Sequence, residues 1–203
     1  MENEIRTKIP MIYLNIWDDL PAPLYNEAYY DSCDTLLAIS KQTENINRLV
    51  LGEKAKDKII AYVPHGIDEE VFRPMKEGDK HAKELKDTKQ RLLGDKEYDL
   101  VAFFNSRNIR RKSVSDLLVA WKLFKEGLPK DKQNKVALIL HTAPVDDNGT
   151  DLYAVRDLLL GEDPNILFSS GRITPESMNV LYNLADVTIL PSSNEGWGLA
   201  LTE

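Results

Sequence analysis

Two short stretches of this 203-residue chain concentrate side chains that could do chemistry. The first, "SRNIRRKS", covers residues 106–113 and sets Arg107, Arg110, Arg111 and Lys112 close together in a chain whose formal net charge is −7. Guanidinium forks and an ammonium suit phosphate oxygens, so a cationic cluster in an acidic protein is a candidate phosphate binder. A solvated basic turn beside a helix start is the competing reading. The second stretch, "PSSNEGWGLALTE", covers residues 191–203. Its polar loop with Gly196 and Gly198 lies between an apolar run, Val187–Leu190, and a segment that reads as a helix start. The glycines let backbone approach a ligand closely, and a helix start offers unpaired N–H groups and the positive end of its dipole. Glu195 and Glu203 bracket this loop.

The elements around these stretches predict where they sit. Continuous apolar runs at Val101–Asn105, Val136–His141, Ile166–Ser169 and Val187–Leu190 read as strands. They alternate with helical segments at Ser113–Glu126, Leu152–Leu160 and Pro175–Leu184. Strands without polar alternation belong to a parallel sheet covered on both faces, hence a Rossmann-like, doubly wound α/β fold. Ligands bind such sheets at the carboxyl ends of the strands, and both stretches follow strands. Ser113 is predicted to cap a helix carrying Val114, Leu117, Leu118, Trp121 and Phe124 on one buried stripe, and Thr174-Pro175-Glu176 opens another helix with proline in its first turn. A helix starting near Gly198 would carry Glu203 roughly 7–8 Å along its axis.

Earlier in the chain, strands are expected at Met11–Ile16, Thr35–Ile39 and Ile59–Val63, and helices at Leu24–Asp31 and Lys41–Leu51. A turn-rich segment followed by a charged helical one then separates the two α/β stretches. The expected division is therefore residues 1–63, a linker with a charged helix at 64–98, and a second α/β domain at 99–203. Three strands and two helices are little material for an independent domain, so residues 1–63 read as the C-terminal remnant of a larger one. Its unpaired sheet edges favour pairing with another copy. Within the junction, Asp68 is expected to cap a short helix holding Val71 and Phe72.

Composition narrows the function classes. With 42% hydrophobic and 29% charged residues the chain is globular, and its acidic balance argues against bulk binding to nucleic acid or anionic lipid. The single cysteine, Cys33, forms no internal disulfide and reads as a small buried side chain. The apolar run after the charged amino terminus is too short to span a bilayer, and a cytoplasmic location is expected.

Five stretches resemble motifs of the retaining glycosyltransferases of the two-Rossmann-domain (GT-B) type, family 4 or group 1. "EGWGLALTE" is similar to that family's E-x7-E motif, with Trp197 at its aromatic position. "SRNIRRKS" resembles its G-R-x-x-x-x-K-G segment, keeping Arg107 and Lys112 at the usual spacing and replacing both flanking glycines with serine. "VPHGIDEEVFRP", "YNLADVTILPSSNEGWG" and "YYDSCDTLLAISK" resemble three further recurrent stretches.

The resemblance implies a donor-binding domain, incomplete here, and transfer of a sugar from a UDP- or GDP-linked donor with retention. The acceptor, whether sugar, lipid or protein, is left open. It implies that Arg107 and Lys112 hold the donor diphosphate and stabilise the departing nucleoside diphosphate. It further implies that Glu203 binds the ribose hydroxyls, that Glu195 lies near the transferred sugar, and that Gly196, Trp197, Gly198 and Leu199 meet sugar or phosphate. No cofactor or metal is implied, and Asp18-Asp19 and Asp146-Asp147 lack D-x-D spacing. "LHTAPVDDNGTDL" is similar to a stretch of some members, with no role assigned beyond packing. Members are longer, and the chain reads as a piece of such a protein. A non-catalytic nucleotide-sugar-binding module and a nucleotide-sugar epimerase of similar build are the alternatives.

Overall fold

A computed structural model describes residues 2–76 and 78–203. The chain divides into two compact units, Met1–Gly66 with Asn194–Leu199, and Ile67–Ser193 with Ala200–Glu203.

The first unit is a three-stranded parallel sheet in the order β1-β2-β3, formed by β1 (Ile12–Asn15), β2 (Thr35–Ala38) and β3 (Ile59–Tyr62), with helices α1 (Glu2–Ile5), α2 (Glu27–Asp31) and α3 (Lys41–Leu51). Ser40 starts α3 by accepting from the Thr43 N–H at 3.1 Å. One stripe of α3, Ile46, Val50 and Leu51, packs with Tyr30 and Leu36. Cys33 is buried in this cluster as a small side chain, its thiol directed to the Tyr29 carbonyl. Buried Asn15 is satisfied by the Tyr30 hydroxyl, the Asn47 side chain and the Trp17 N–H. Ile12, Leu14 and Ile59 alternate with the packed positions and are exposed.

The second unit holds a four-stranded parallel sheet in the order β6-β5-β4-β7: β4 (Leu100–Asn105), β5 (Val136–His141), β6 (Ile166–Ser169) and β7 (Val187–Thr188). Helices α4 (Ala82–Leu93), α5 (Val114–Gly127), α6 (Leu152–Leu160) and α7 (Pro175–Leu184) cover it. Alternation along β4 sorts the core into two layers. Ala102 and Phe104 pack with Leu117, Leu118 and Trp121 of α5 and Leu152 of α6, whereas Val101 and Phe103 pack with Leu93 of α4 and Leu181 of α7. Every residue of β5 is buried, which explains its unbroken apolar sequence. The fold is therefore α/β and doubly wound, as the strand pattern predicts.

Local details depart from expectation in several places. Ser113 stands before α5 in the left-handed region (φ 51°, ψ 39°) and its side chain makes no capping bond, because a 3-10 turn over Arg110–Lys112 feeds directly into the helix. Phe124 is 40% exposed, its ring set against Trp121 at 5.2 Å, so the buried stripe of α5 ends before it. β7 is shorter than its apolar run, although the Ile189 N–H still donates to the Phe103 carbonyl. Asp68 makes a turn rather than a helix: its carboxylate accepts from the Glu70 N–H and its carbonyl from Val71 and Phe72.

Among the described residues no helix is long and apolar enough to cross a membrane.

Candidate functional site

The order β6-β5-β4-β7 creates a topological switch point. From β4 the chain moves outward through β5 and β6, then returns across the sheet to β7 on the other side of β4. The connections leaving β4 and β7 therefore diverge, and their carboxyl ends frame the crevice where doubly wound sheets bind ligands. The loop after β4 is the basic stretch, and the loop after β7 leads into the glycine–glutamate stretch. A backbone bond joins the two connections: the Ser193 N–H donates to the Arg111 carbonyl at 2.9 Å.

On the basic loop, Arg107 is exposed and Lys112 is buried, with 8% of its surface accessible. Arg107 makes a two-point ion pair with Asp146 in the loop after β5, Nε to Oδ2 at 2.8 Å and Nη2 to Oδ1 at 3.1 Å. The guanidinium, with the Asn148 N–H, holds the Asp146 carboxyl below the usual carboxylate range.

Glu203 is approached from the sheet side. The Asn105 amide, at the end of β4, donates to the Tyr182 hydroxyl at 3.1 Å, and that hydroxyl donates to Glu203 Oε2 at 2.7 Å. Burial pushes the Tyr182 hydroxyl pKa well above its ordinary value; the Asn105 bond opposes this and the Glu203 carboxylate adds to it. The phenol is thus a permanent donor at neutral pH.

Chain geometry before Glu203 differs from expectation. Only a 3-10 turn, Leu199–Leu201, follows Gly198, whose φ of 82° lies in the left-handed region that favours glycine. Among the described residues this single turn is what leads to Glu203.

Glu195, Gly196, Trp197, Gly198 and Leu199 belong to the first unit. There, a Cβ on Gly196 would come within 3.1 Å of the Ile16 carbonyl oxygen, a tight approach that favours glycine. Trp197 stands 6.5 Å from the Tyr62 ring. Glu195 and Gly196 are half-buried, Gly198 is buried and Leu199 is exposed. Within the second unit Arg107 and Lys112 lie on the loop after β4, and Tyr182 and Asn105 tie Glu203 to the end of that strand.

Sequence reasoning missed Asp146, Asn105 and Tyr182 as partners of those residues. Asp146 lies inside "LHTAPVDDNGTDL" and Tyr182 inside "YNLADVTILPSSNEGWG", two stretches already marked by resemblance. At the end of β5, His141 is buried, pairs its Nδ1 with the Ser169 hydroxyl at 3.0 Å, and has its pKa lowered by burial, so it is a neutral group.

Solved structures supply the decisive comparison. A trehalose-6-phosphate protein from E. coli, bound with UDP-2-fluoro glucose, superposes with a TM-score of 0.71 at 12% identity, covering 96% of this chain and 50% of that one. The fold is that of GT-B glycosyltransferases. WaaG, a glycosyltransferase involved in lipopolysaccharide biosynthesis, matches with a TM-score of 0.60 at 18% identity over 84% of this chain and 41% of its own. A glycosyltransferase from Rickettsia africae matches at 0.62 and 16% identity over 89% of this chain and 45% of its own. The chain thus spans half or less of the length of these structures. No protein-family model and no curated protein matches the sequence.

Proposed function

We propose that this chain is the donor-binding part of a GT-B glycosyltransferase that transfers a sugar from a UDP- or GDP-linked donor to a sugar, lipid or protein acceptor, with retention and without a metal. The observation that carries the reading is the switch point between β4 and β7, where a basic loop and a loop leading to two carboxylates leave neighbouring strand ends and share the Ser193–Arg111 backbone bond. Arg107 and Lys112 would neutralise the diphosphate, most strongly as charge develops on the leaving nucleoside diphosphate. A buried ammonium such as Lys112 interacts with an anion more strongly than a solvated one. Glu203, held by Tyr182, would accept from the ribose hydroxyls, since a carboxylate can take a vicinal diol with its two oxygens. Glu195 would lie near the transferred sugar and support its cationic transition state, with Gly196 to Leu199 meeting sugar or phosphate.

The E. coli neighbour, bound with UDP-2-fluoro glucose, supports a nucleotide-sugar donor. A cytoplasmic location is part of this reading.

The test is release of nucleoside diphosphate from radiolabelled UDP- and GDP-sugars by a polypeptide that contains this chain and spans the full GT-B length. The anomeric configuration of the product is read by proton NMR. Release with retention, abolished by Lys112→Ala, is expected; binding without any release or transfer would instead establish a non-catalytic nucleotide-sugar module. Conversion of the donor sugar to its epimer would favour an epimerase.

A further inference from the structure

Arg107 does not stand alone on its loop. Its Nε and Nη2 are both taken by Asp146, whose side chain is only 11% exposed while that of Arg107 is 62% exposed. The carboxylate is itself fixed, because Oδ1 also accepts the Asn148 N–H at 2.9 Å and the Asp146 carbonyl accepts the Gly149 N–H at 2.9 Å.

The loop that carries Asp146 is in turn tied to the basic loop. Asn108, 2% exposed, donates its amide to the carbonyls of Pro144 at 3.2 Å and Thr150 at 2.6 Å. The Arg110 N–H donates to the Asn148 carbonyl at 3.1 Å, and the hydroxyls of Ser115 and Thr150 share a bond of 2.7 Å. Gly149 lies so close against Asn108 that a Cβ there would fall inside van der Waals contact with the Asn108 carbonyl. The two loops therefore form one braced assembly at the ends of β4 and β5.

We propose that Asp146 is a positioning residue for the donor diphosphate, acting through Arg107. This rests on the reading that Arg107 contacts the diphosphate. A guanidinium has five N–H donors in a planar fork. Asp146 occupies the Nε/Nη2 edge, which leaves the Nη1 pair and the outer Nη2 N–H directed away from the carboxylate as a bidentate end for phosphate. An exposed arginine otherwise loses rotamer freedom on binding, and restraint before the ligand arrives removes part of that cost. The pair joins an exposed guanidinium to a braced carboxylate at the strand ends, a placement suited to orienting the guanidinium. The opposing effect is repulsion between the carboxylate and the phosphate, to which Asp147 adds. The two-point geometry, already neutralising one charge with the other, favours orientation over repulsion.

The experiment titrates UDP, GDP and inorganic pyrophosphate into the 203-residue chain and its variants by calorimetry, with circular dichroism as a check on folding. Asp146→Ala should weaken binding of the preferred nucleotide roughly three- to tenfold, equivalent to about 0.7–1.4 kcal/mol. Asp146→Asn, which keeps one acceptor for the guanidinium, should fall between the two. Arg107→Ala with Asp146→Ala should bind no more weakly than Arg107→Ala alone, a coupling that a merely structural role would not produce. Weaker binding by Arg107→Ala together with unchanged or tighter binding by Asp146→Ala and Asp146→Asn overturns the positioning role and leaves the diphosphate reading standing. No effect of Arg107→Ala, or no binding of any of the three probes by the unsubstituted chain at millimolar concentration, overturns both.

Discussion

The Tyr182 hydroxyl donates to the Glu203 carboxylate at 2.7 Å, and the Asn105 amide donates to the same hydroxyl at 3.1 Å. A residue of α7 thus couples the end of β4 to the second glutamate of the glycine loop, and Glu203 is oriented by a phenol that stays protonated at neutral pH. Tyr182→Phe removes both bonds while keeping the ring contact with Phe103 at 5.1 Å. The expected result is a loss of about 1–2 kcal/mol in stability by urea unfolding, since one polar partner is left unmatched on each side. Nucleotide affinity should fall with it, because Glu203 loses its fixed orientation. An unfolding midpoint and an affinity both equal to wild type would remove Tyr182 from the site.

Ser113 carries a second prediction. It stands where the resembled motif has glycine, and its φ of 51° explains why: the left-handed region costs L residues about 1–2 kcal/mol relative to the right-handed one, and glycine adopts it freely. Ser113→Gly should therefore raise stability by about 0.5–1 kcal/mol, with no lost cap to offset it because the serine hydroxyl makes none. A thermal midpoint that is unchanged or lowered would contradict the strain assignment.

Acid stability of the first unit should depend on Asp34. Its carboxyl is held below the ordinary range first by the Met11 N–H, at 2.8 Å, and then by Arg6, at 2.9 Å. A carboxyl with a depressed folded-state pKa contributes stability that is fully present above its unfolded value, about 3.9, and is lost as pH falls through the folded value. Asp31 is depressed as well, by Lys54 and then Lys58, and acts in the same direction. Urea midpoints should be level from neutral pH to about pH 5 and decline below about pH 4. Asp34→Asn should be less stable at neutral pH and show a shallower decline. An equal slope in the variant would exclude Asp34 as a source of the acid transition.

Much of this architecture is legible in the residues. The unbroken apolar runs of β4 and β5 follow from burial on both faces, and the Thr174-Pro175 start of α7 appears with Thr174 accepting from the Ser177 N–H. Proximity in sequence also places Arg107 and Lys112 on one loop. Partners far apart in sequence are another matter. The ion pair of Lys125 with Asp163, the fork of Arg107 on Asp146 and the bond of Tyr182 to Glu203 join positions whose separation no periodicity encodes, and they emerge only once strand order is fixed. Where the sequence predicts a helix start near Gly198, the structure holds one 3-10 turn, Leu199–Leu201.

The proposed function rests on Arg107 and Lys112 binding the diphosphate of a nucleotide-sugar donor. Its most direct measurement is calorimetric titration of UDP and of GDP into the wild-type chain, Arg107→Ala and Lys112→Ala at one ionic strength. One nucleotide should bind, and each substitution should weaken it by roughly tenfold or more, as expected for a lost charge-assisted hydrogen bond. Binding of UDP or GDP with the same affinity by both variants as by wild type would contradict it.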